Sequence, residues 1–254
     1  MLRVGCDPEL FAVRKNGNPV SVIGKFPGTK EEPFEIEGVG ALQVDNVACE
    51  FNTIPATSPD EFSRAVAMPL KAVEEYLAKK KLLLCEEAYL EFPQNQLNNA
   101  DAVTAGCDPD YNAYNLKVNT PPDFYETNAR SAAGHVHIGL DEISEVDKPL
   151  LVKCLDLIMT IPALKYESAD RRTLYGKAGC FRPKSYGLEY RTPSNFWVFT
   201  DERRKWVFQC VQRAVEIFRD ITIPNDLEDV INNNDLQRAE MLIDQYNLVP
   251  CPVR

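Results

Sequence analysis

The chain has 254 residues, 44% hydrophobic and 26% charged, a balance that excludes a disordered tail, a collagen-like chain and a coiled coil. Its 38 acidic residues against 28 basic ones give a net charge of −10, which argues against general binding to nucleic acid or anionic membranes. No apolar run approaches the roughly 18 residues of a membrane-spanning helix.

Met1-Leu2-Arg3-Val4-Gly5 has none of the character of a secretory signal. The eight cysteines (Cys6, Cys49, Cys85, Cys107, Cys154, Cys180, Cys210 and Cys251) are widely and irregularly spaced, with no C-x-x-C. They read as reduced thiols of a cytoplasmic protein, most of them small core residues. The first fifty residues predict short strands at 4–6, 10–13, 20–23, 41–45 and 47–52, with Asn16-Gly17-Asn18-Pro19 as a hairpin turn. Ser58 caps a helix that begins at Pro59 and is expected to kink at Pro69. A strand is expected over 82–92 and a long Asn-, Asp- and Pro-rich loop over 93–130. A strand at 135–140 follows. A helix capped by Ser144 then runs to about Tyr166, and a strand follows at 186–192. Thr200 caps a helix from Asp201 to Arg219, and short helices separated by Asn232-Asn233-Asn234 close the chain. With no regular βαβ rhythm, the fold class is α+β with a largely antiparallel sheet packed by helices. Residues 1–254 form one domain, with a helical C-terminal extension over 221–254.

Residues i and i+2 of a strand face the same side. Five such polar pairs recur: Asp7 and Glu9, Gln43 and Asp45, Glu50 and Asn52, His135 and His137, Glu189 and Arg191. One pair alone is usually a solvent face. If the strands are neighbours, five pairs make one face of carboxylates, imidazoles and arginine, the outline of a metal and anion site. Carboxylates outnumber nitrogens, and His135 and His137 are the only histidines; this suits Mg²⁺ or Mn²⁺ better than Zn²⁺. Taken alone, the His pair also fits zinc or iron, or two structural histidines. With Glu142 it matches a cupin's H-x-H-x4-E, but the further histidine a cupin needs is absent. Gly134 and Gly139 suggest close approach of something to this strand.

Residues 171–191 hold six basic residues (Arg171, Arg172, Lys177, Arg182, Lys184 and Arg191) against one acid, Glu189, with Tyr175, Phe181, Tyr186 and Tyr190 interleaved. Such a run is either a solvated basic loop or a polyphosphate site. Neither a P-loop nor a dinucleotide-binding turn is present.

These residues fall into ordered motifs. They are Gly5-Cys6-Asp7-Pro8-Glu9-Leu10-Phe11, Gln43-Val44-Asp45-Asn46 leading through Glu50-Phe51-Asn52-Thr53, and Gly134-His135-Val136-His137-Ile138-Gly139. Arg172-Thr173-Leu174-Tyr175-Gly176-Lys177-Ala178-Gly179, Phe181-Arg182, Tyr186-Gly187-Leu188-Glu189-Tyr190-Arg191 and Asn195-Phe196-Trp197 follow. Over residues 4–200 their order and spacing resemble the phage-type amidoligases, the type 2 carboxylate–amine (COOH–NH2) ligases related to glutamine synthetase and glutamate–cysteine ligase.

The resemblance implies a glutamine-synthetase-like catalytic fold, its antiparallel sheet curved around ATP and two or more divalent ions (Mg²⁺ or Mn²⁺). It implies ATP-dependent joining of a carboxylate to an amine through an acyl phosphate, in the host cytoplasm if the protein is phage-encoded. By position, Glu9, Glu50, His137 and Glu189 correspond to metal ligands. His135 corresponds to an alternative ligand or to a residue that orients one. Arg182 and Arg191 correspond to phosphate-contacting residues, with Arg171, Arg172 and Lys177 as further nucleotide contacts. Asp7, Asp45 and Glu50 are candidates for the base that deprotonates the amine. Small-molecule or peptide substrates are expected, and a homo-oligomer is compatible with the family. Two departures stand out: Ala132-Ala133-Gly134 in place of Ser-Gly-Gly, and Asn46 where many relatives carry Gly. Asn tolerates the same left-handed turn. A metal-dependent hydrolase using the His pair and a non-catalytic ligase-like binding module are the competing readings.

Overall fold

The computed structural model describes residues 1–104 and 109–253; Cys107 lies outside them. The described strands are β1 (Arg3–Val13), β2 (Pro19–Val20), β3 (Phe34–Ile36), β4 (Gly40–Asp45), β5 (Ala48–Thr53), β6 (Leu83–Cys85), β7 (Tyr89–Glu91), β8 (Tyr111–Asn112), β9 (Ala129–Ser131), β10 (Gly134–Gly139), β11 (Cys180–Lys184) and β12 (Gly187–Tyr190). The helices are α1 (Pro59–Lys79), α2 (Asp147–Leu155), α3 (Ile161–Ala163), α4 (Arg171–Leu174), α5 (Asp201–Ile217), α6 (Leu227–Asn232) and α7 (Leu236–Tyr246).

The main sheet runs β3-β4-β5-β1-β10-β12-β11-β8, with β2 and β6 also on β1, and β7 pairs with β9 separately. Every pairing between these strands is antiparallel, so the mixed, antiparallel fold class is borne out. The sheet is uncurled and open, with β3 and β8 at its two ends, in place of the curved sheet that the resemblance implied. β1 is one long strand instead of two short ones: its first half pairs with β10, its middle with β5 and its last residues with β2 and β6.

The strand period of two divides the sheet into an apolar and a polar face. Val4, Cys6 and Leu10 of β1, Cys49 and Phe51 of β5, Val136 and Ile138 of β10, and Leu188 and Tyr190 of β12 share one buried cluster with residues of α1, α2 and α5. Phe62, Val66, Val73 and Leu77 supply the buried stripe of α1, and Trp206, Val207 and Val211 that of α5. The residues between the apolar ones point to the opposite face.

The caps at Ser58 and Thr200 agree with the sequence, whereas Ser144 is not the N-cap of α2: Val146 stands there, with no side-chain cap. Ser58 accepts from the Glu61 N–H at 3.3 Å and Thr200 from the Arg203 N–H at 3.3 Å. Helix α1 runs through Pro69 without ending there. The helix expected from Ser144 to Tyr166 is subdivided: α2 starts at Asp147, a π turn spans Asp156–Thr160, and α3 and a 3-10 turn follow. The 82–92 strand is two strands in different sheets, because β6 joins β1 while β7 joins β9. The loop over 93–130 contains 3-10 turns at Gln94–Gln96 and Ala100–Ala102 together with β8 and the start of β9. β11 was hidden in the sequence by its charged residues and Pro183. The described cysteines carry free thiols, all buried except the half-buried Cys85. Among the described residues no helix is long and apolar enough to cross a membrane.

Candidate functional site

The strand register assembles the polar face. Glu9 pairs with Glu50 across β1 and β5, and Gln43 with Glu50 across β4 and β5. Asp7 pairs with His135 across β1 and β10, His137 with Glu189 across β10 and β12, and Arg182 with Glu189 across β11 and β12. Six adjacent strands thus carry one continuous row of acids, imidazoles and guanidinium groups. Asn46 stands at the β4–β5 turn with φ +51°, the left-handed geometry expected of it. Its amide donates to the carbonyls of Asp101 and Thr104 at 2.9 and 3.1 Å.

Among the described residues, two groups of donors lie at cation-binding spacing. One is Asp7, His137 and Glu189; the other is Glu9, Asp45 and Glu50; in each group the donor atoms lie within 4.8 Å of one another. Asp7 and Asp45, expected as bases, therefore sit among the potential ligands. His135 stands beside the first group, its Nδ1 3.5 Å from Asp7 and 3.6 Å from Glu189.

The electrostatics of the two groups differ. Burial pushes the Glu50 carboxyl well up, and Asp7, Asp45 and Glu9 add to this by repulsion. Burial and Asp45 likewise raise Glu9. Lys30, 2.9 Å from Asp45, offsets part of this charge. At Glu189, burial and Asp7 act upward, but Arg191 and the two imidazoles outweigh them and hold the carboxyl down at about 2. Asp7 is also held below the ordinary carboxylate range: burial acts upward, but His137 and His135 prevail. Burial works against a charged His137, yet Asp7 raises its pKa overall.

The basic segment divides into two parts. Arg182 and Lys184 reach Glu189 at 3.2 and 3.0 Å, and Arg191 bonds the same carboxylate. Arg191 also meets Asp110 at 3.2 Å. Arg171 is fully buried and donates to the carbonyls of Ala132, Thr192 and Pro193 at 3.1, 2.9 and 2.9 Å. Arg172 is buried against Glu167 at 2.6 Å, and the other oxygen of Glu167 accepts the Ser194 N–H at 3.0 Å. These two arginines tie α4 to the chain after β12 and do not join the polar row. Lys177 is exposed and lines a 520 Å³ cavity with Asp110, Tyr175 and Arg191. On the other side of the row, a 460 Å³ cavity is lined by Asp7, Gln43, Glu50, His137 and Tyr186.

Sequence reasoning counted Lys184 in the basic run without assigning it to the site, because charge alone does not separate a solvated lysine from one that faces a carboxylate. It missed Tyr186, whose hydroxyl lies 2.5 Å from His137 Nδ1, and the role of Asn195-Phe196-Trp197. The Asn195 amide donates to the Glu9 carbonyl at 2.8 Å and the Trp197 indole to that of Gly134 at 3.3 Å. That turn braces the row from behind. It is also what approaches Gly134: a Cβ there would lie 2.3 Å from the Ser194 carbonyl oxygen.

Residues 125–231 match the family model described as Phage phiEco32-like COOH.NH2 ligase-type 2. The amidoligase resemblance is borne out. The matched segment carries His135, His137, Arg182, Glu189 and Arg191, whereas Asp7, Glu9, Asp45 and Glu50 lie outside it. The family name implies a ligase acting between a carboxyl group and an amine. Among curated proteins no match is found.

Proposed function

We propose that this amidoligase-like chain joins a carboxylate to an amine in an ATP-dependent reaction, through an acyl phosphate, with Mg²⁺ or Mn²⁺ held by the polar row. The observation that carries the reading is the convergence of two acid-rich donor groups on one sheet face, flanked by Arg182, Lys184 and Arg191. The residues fit divalent ions. Oxygen donors predominate, as hard cations require. Asp7 Oδ1 and His137 Nε2 lie 3.0 Å apart, yet both are buried without a hydrogen-bond partner. The mutual repulsion of Glu9, Asp45 and Glu50 is the kind of strain that a bound cation relieves. Divalent ions at these residues would supply neutralisation of the phosphate oxygens.

A carboxylate is a poor electrophile in water. Transfer of the terminal phosphoryl group of ATP to it releases ADP and gives an acyl phosphate. The amine then attacks the carbonyl carbon, inorganic phosphate leaves, and the nitrogen gives up a proton. Arg182, Lys184 and Arg191 hold the transferred phosphoryl group, since guanidinium and ammonium donors match phosphate oxygens. Whichever of Asp45 and Glu50 is not engaged by a cation accepts the proton. Arg171 and Arg172 support the site from below and do not touch the nucleotide.

Purified protein given ATP, Mg²⁺ and mixed amino acids should release ADP and phosphate in equal amounts, and the double variant Glu9→Gln, Glu189→Gln should release neither. Equal turnover by the two proteins would sink the assignment.

A further inference from the structure

Tyr186 occupies the two-residue turn between β11 and β12, where Lys184 pairs with Gly187. Its backbone is pinned, because its carbonyl accepts the Leu140 N–H at 2.9 Å. Its ring stacks on His137 with centroids 6.1 Å apart and planes 27° apart, and its hydroxyl reaches Nδ1 at 2.5 Å. The opposite ring nitrogen, Nε2, is buried, lacks a hydrogen-bond partner and faces Asp7 at 3.0 Å. One side chain thus controls one nitrogen of His137, while the other nitrogen faces Asp7 of the Asp7–His137–Glu189 donor group.

We infer that Tyr186 is the positioning residue of this donor group. Its hydroxyl accepts a hydrogen bond from the Nδ1–H of His137 and so leaves the Nε2 lone pair free for a divalent cation. The inference rests on the cation reading given above. A phenolic hydroxyl is both donor and acceptor, so it partners His137 in either neutral tautomer. Without a cation, the phenol donates to Nδ1, and Nε2 carries the proton without a hydrogen-bond acceptor for it. With a cation, Nε2 loses its proton and Nδ1 gains one by exchange with solvent. That N–H donates to the tyrosine oxygen, and the phenol keeps its own proton, turning it to water on its exposed side. The imidazole changes tautomer with no net proton taken up and without losing its partner. Outer groups of this kind set ring orientation and ligand basicity, and their loss costs about 10–100-fold in metal affinity.

The test compares wild type with Tyr186→Phe, which keeps the stacked ring and removes only the hydroxyl. Calorimetric titration with Mn²⁺ should show affinity about 10-fold weaker in the variant, while the cation-free melting temperatures agree. Ring ¹⁵N spectra are simple because the chain holds only two histidines, and His135→Gln assigns them. On addition of Mg²⁺, His137 of the wild type should move to the Nδ1–H tautomer. That readout stands on the wild type alone, whatever the variant does to folding. Equal Mn²⁺ affinity in the two proteins, or a wild-type His137 that keeps its Nε2 proton with Mg²⁺ bound, overturns the role of Tyr186 and leaves the cation site standing. Absence of any Mn²⁺ binding by the wild type overturns both.

Discussion

Glu189 faces Arg182, Lys184 and Arg191 at once, whereas Glu50 faces other acids. The pair show how neighbours, not residue type, set the state of a buried carboxylate. Glu189 is satisfied in the chain as it stands. Glu50 is buried and lies at cation-binding spacing from Glu9 and Asp45, and the Gln43 amide donates to it at 2.6 Å. Such repulsion is expected of a site kept for a ligand at the expense of stability. Glu50→Gln keeps the shape and the bond from Gln43, since the Gln carbonyl still accepts. In EDTA this variant should be more stable than wild type by on the order of 1–2 kcal/mol, and its melting temperature should rise less on addition of Mn²⁺. A lower melting temperature in EDTA would show that Glu50 is not under strain.

At the scale of elements, β10 is held from both edges and braced end-on. β1 and β12 flank it, and the Ser194–Trp197 turn abuts its first residue, Gly134. A Cβ at Gly134 would lie 2.3 Å from the Ser194 carbonyl oxygen and 2.6 Å from the Trp197 indole nitrogen. At Gly139 the nearest atoms belong to Arg3, at 3.4–3.8 Å. The two glycines flank the same histidines but should behave differently. Gly134→Ala forces the backbone apart in a buried place and should cost more than about 4 kcal/mol or abolish soluble expression. Gly139→Ala meets ordinary contact distances and should cost under about 1 kcal/mol. Denaturant unfolding of both variants checks the contrast, and equal losses would remove the explanation.

At the scale of the whole molecule, buried acids tie stability to pH. Asp156, in the π turn behind the sheet, accepts the Tyr190 hydroxyl at 2.5 Å, the Tyr114 hydroxyl at 2.9 Å and the Gly179 N–H at 2.7 Å. Burial nevertheless raises its pKa from 3.8 to about 6, those bonds only moderating the rise. The folded protein keeps this proton up to about 6 and the unfolded chain only to 3.8. Between those pH values the folded state therefore binds more proton, and stability falls as pH rises. The loss attributable to Asp156 is about 3 kcal/mol by neutral pH. Glu9 and Glu50, also raised, contribute the same sign. Cation-free protein should thus lose stability from about pH 4 to 6, and Asp156→Asn should flatten that slope in part. An unchanged slope in the variant would exclude Asp156 as a source.

The sequence by itself determined what depends on local geometry. The period of two placed Asp7 and Glu9, His135 and His137, and Glu189 and Arg191 each on one side of a strand, whatever the strand's neighbours. Capping chemistry located the starts of α1 and α5, and Asn46 marked a left-handed turn. Only the tertiary structure decided which strands are neighbours. That choice sorts the acids into two donor groups, with Asp7 beside His137 and Asp45 beside Glu9. It also divided the basic segment, turning Arg182, Lys184 and Arg191 to the polar row while Arg171 and Arg172 became internal ties. Arginines close together in sequence look alike as charges. Their roles differ because a fully buried guanidinium must find its acceptors within the protein, and for Arg171 those are three backbone carbonyls. Tyr186 was illegible for the same reason: its turn position is local, but His137 lies on another strand, and pairing across the sheet brings the two together.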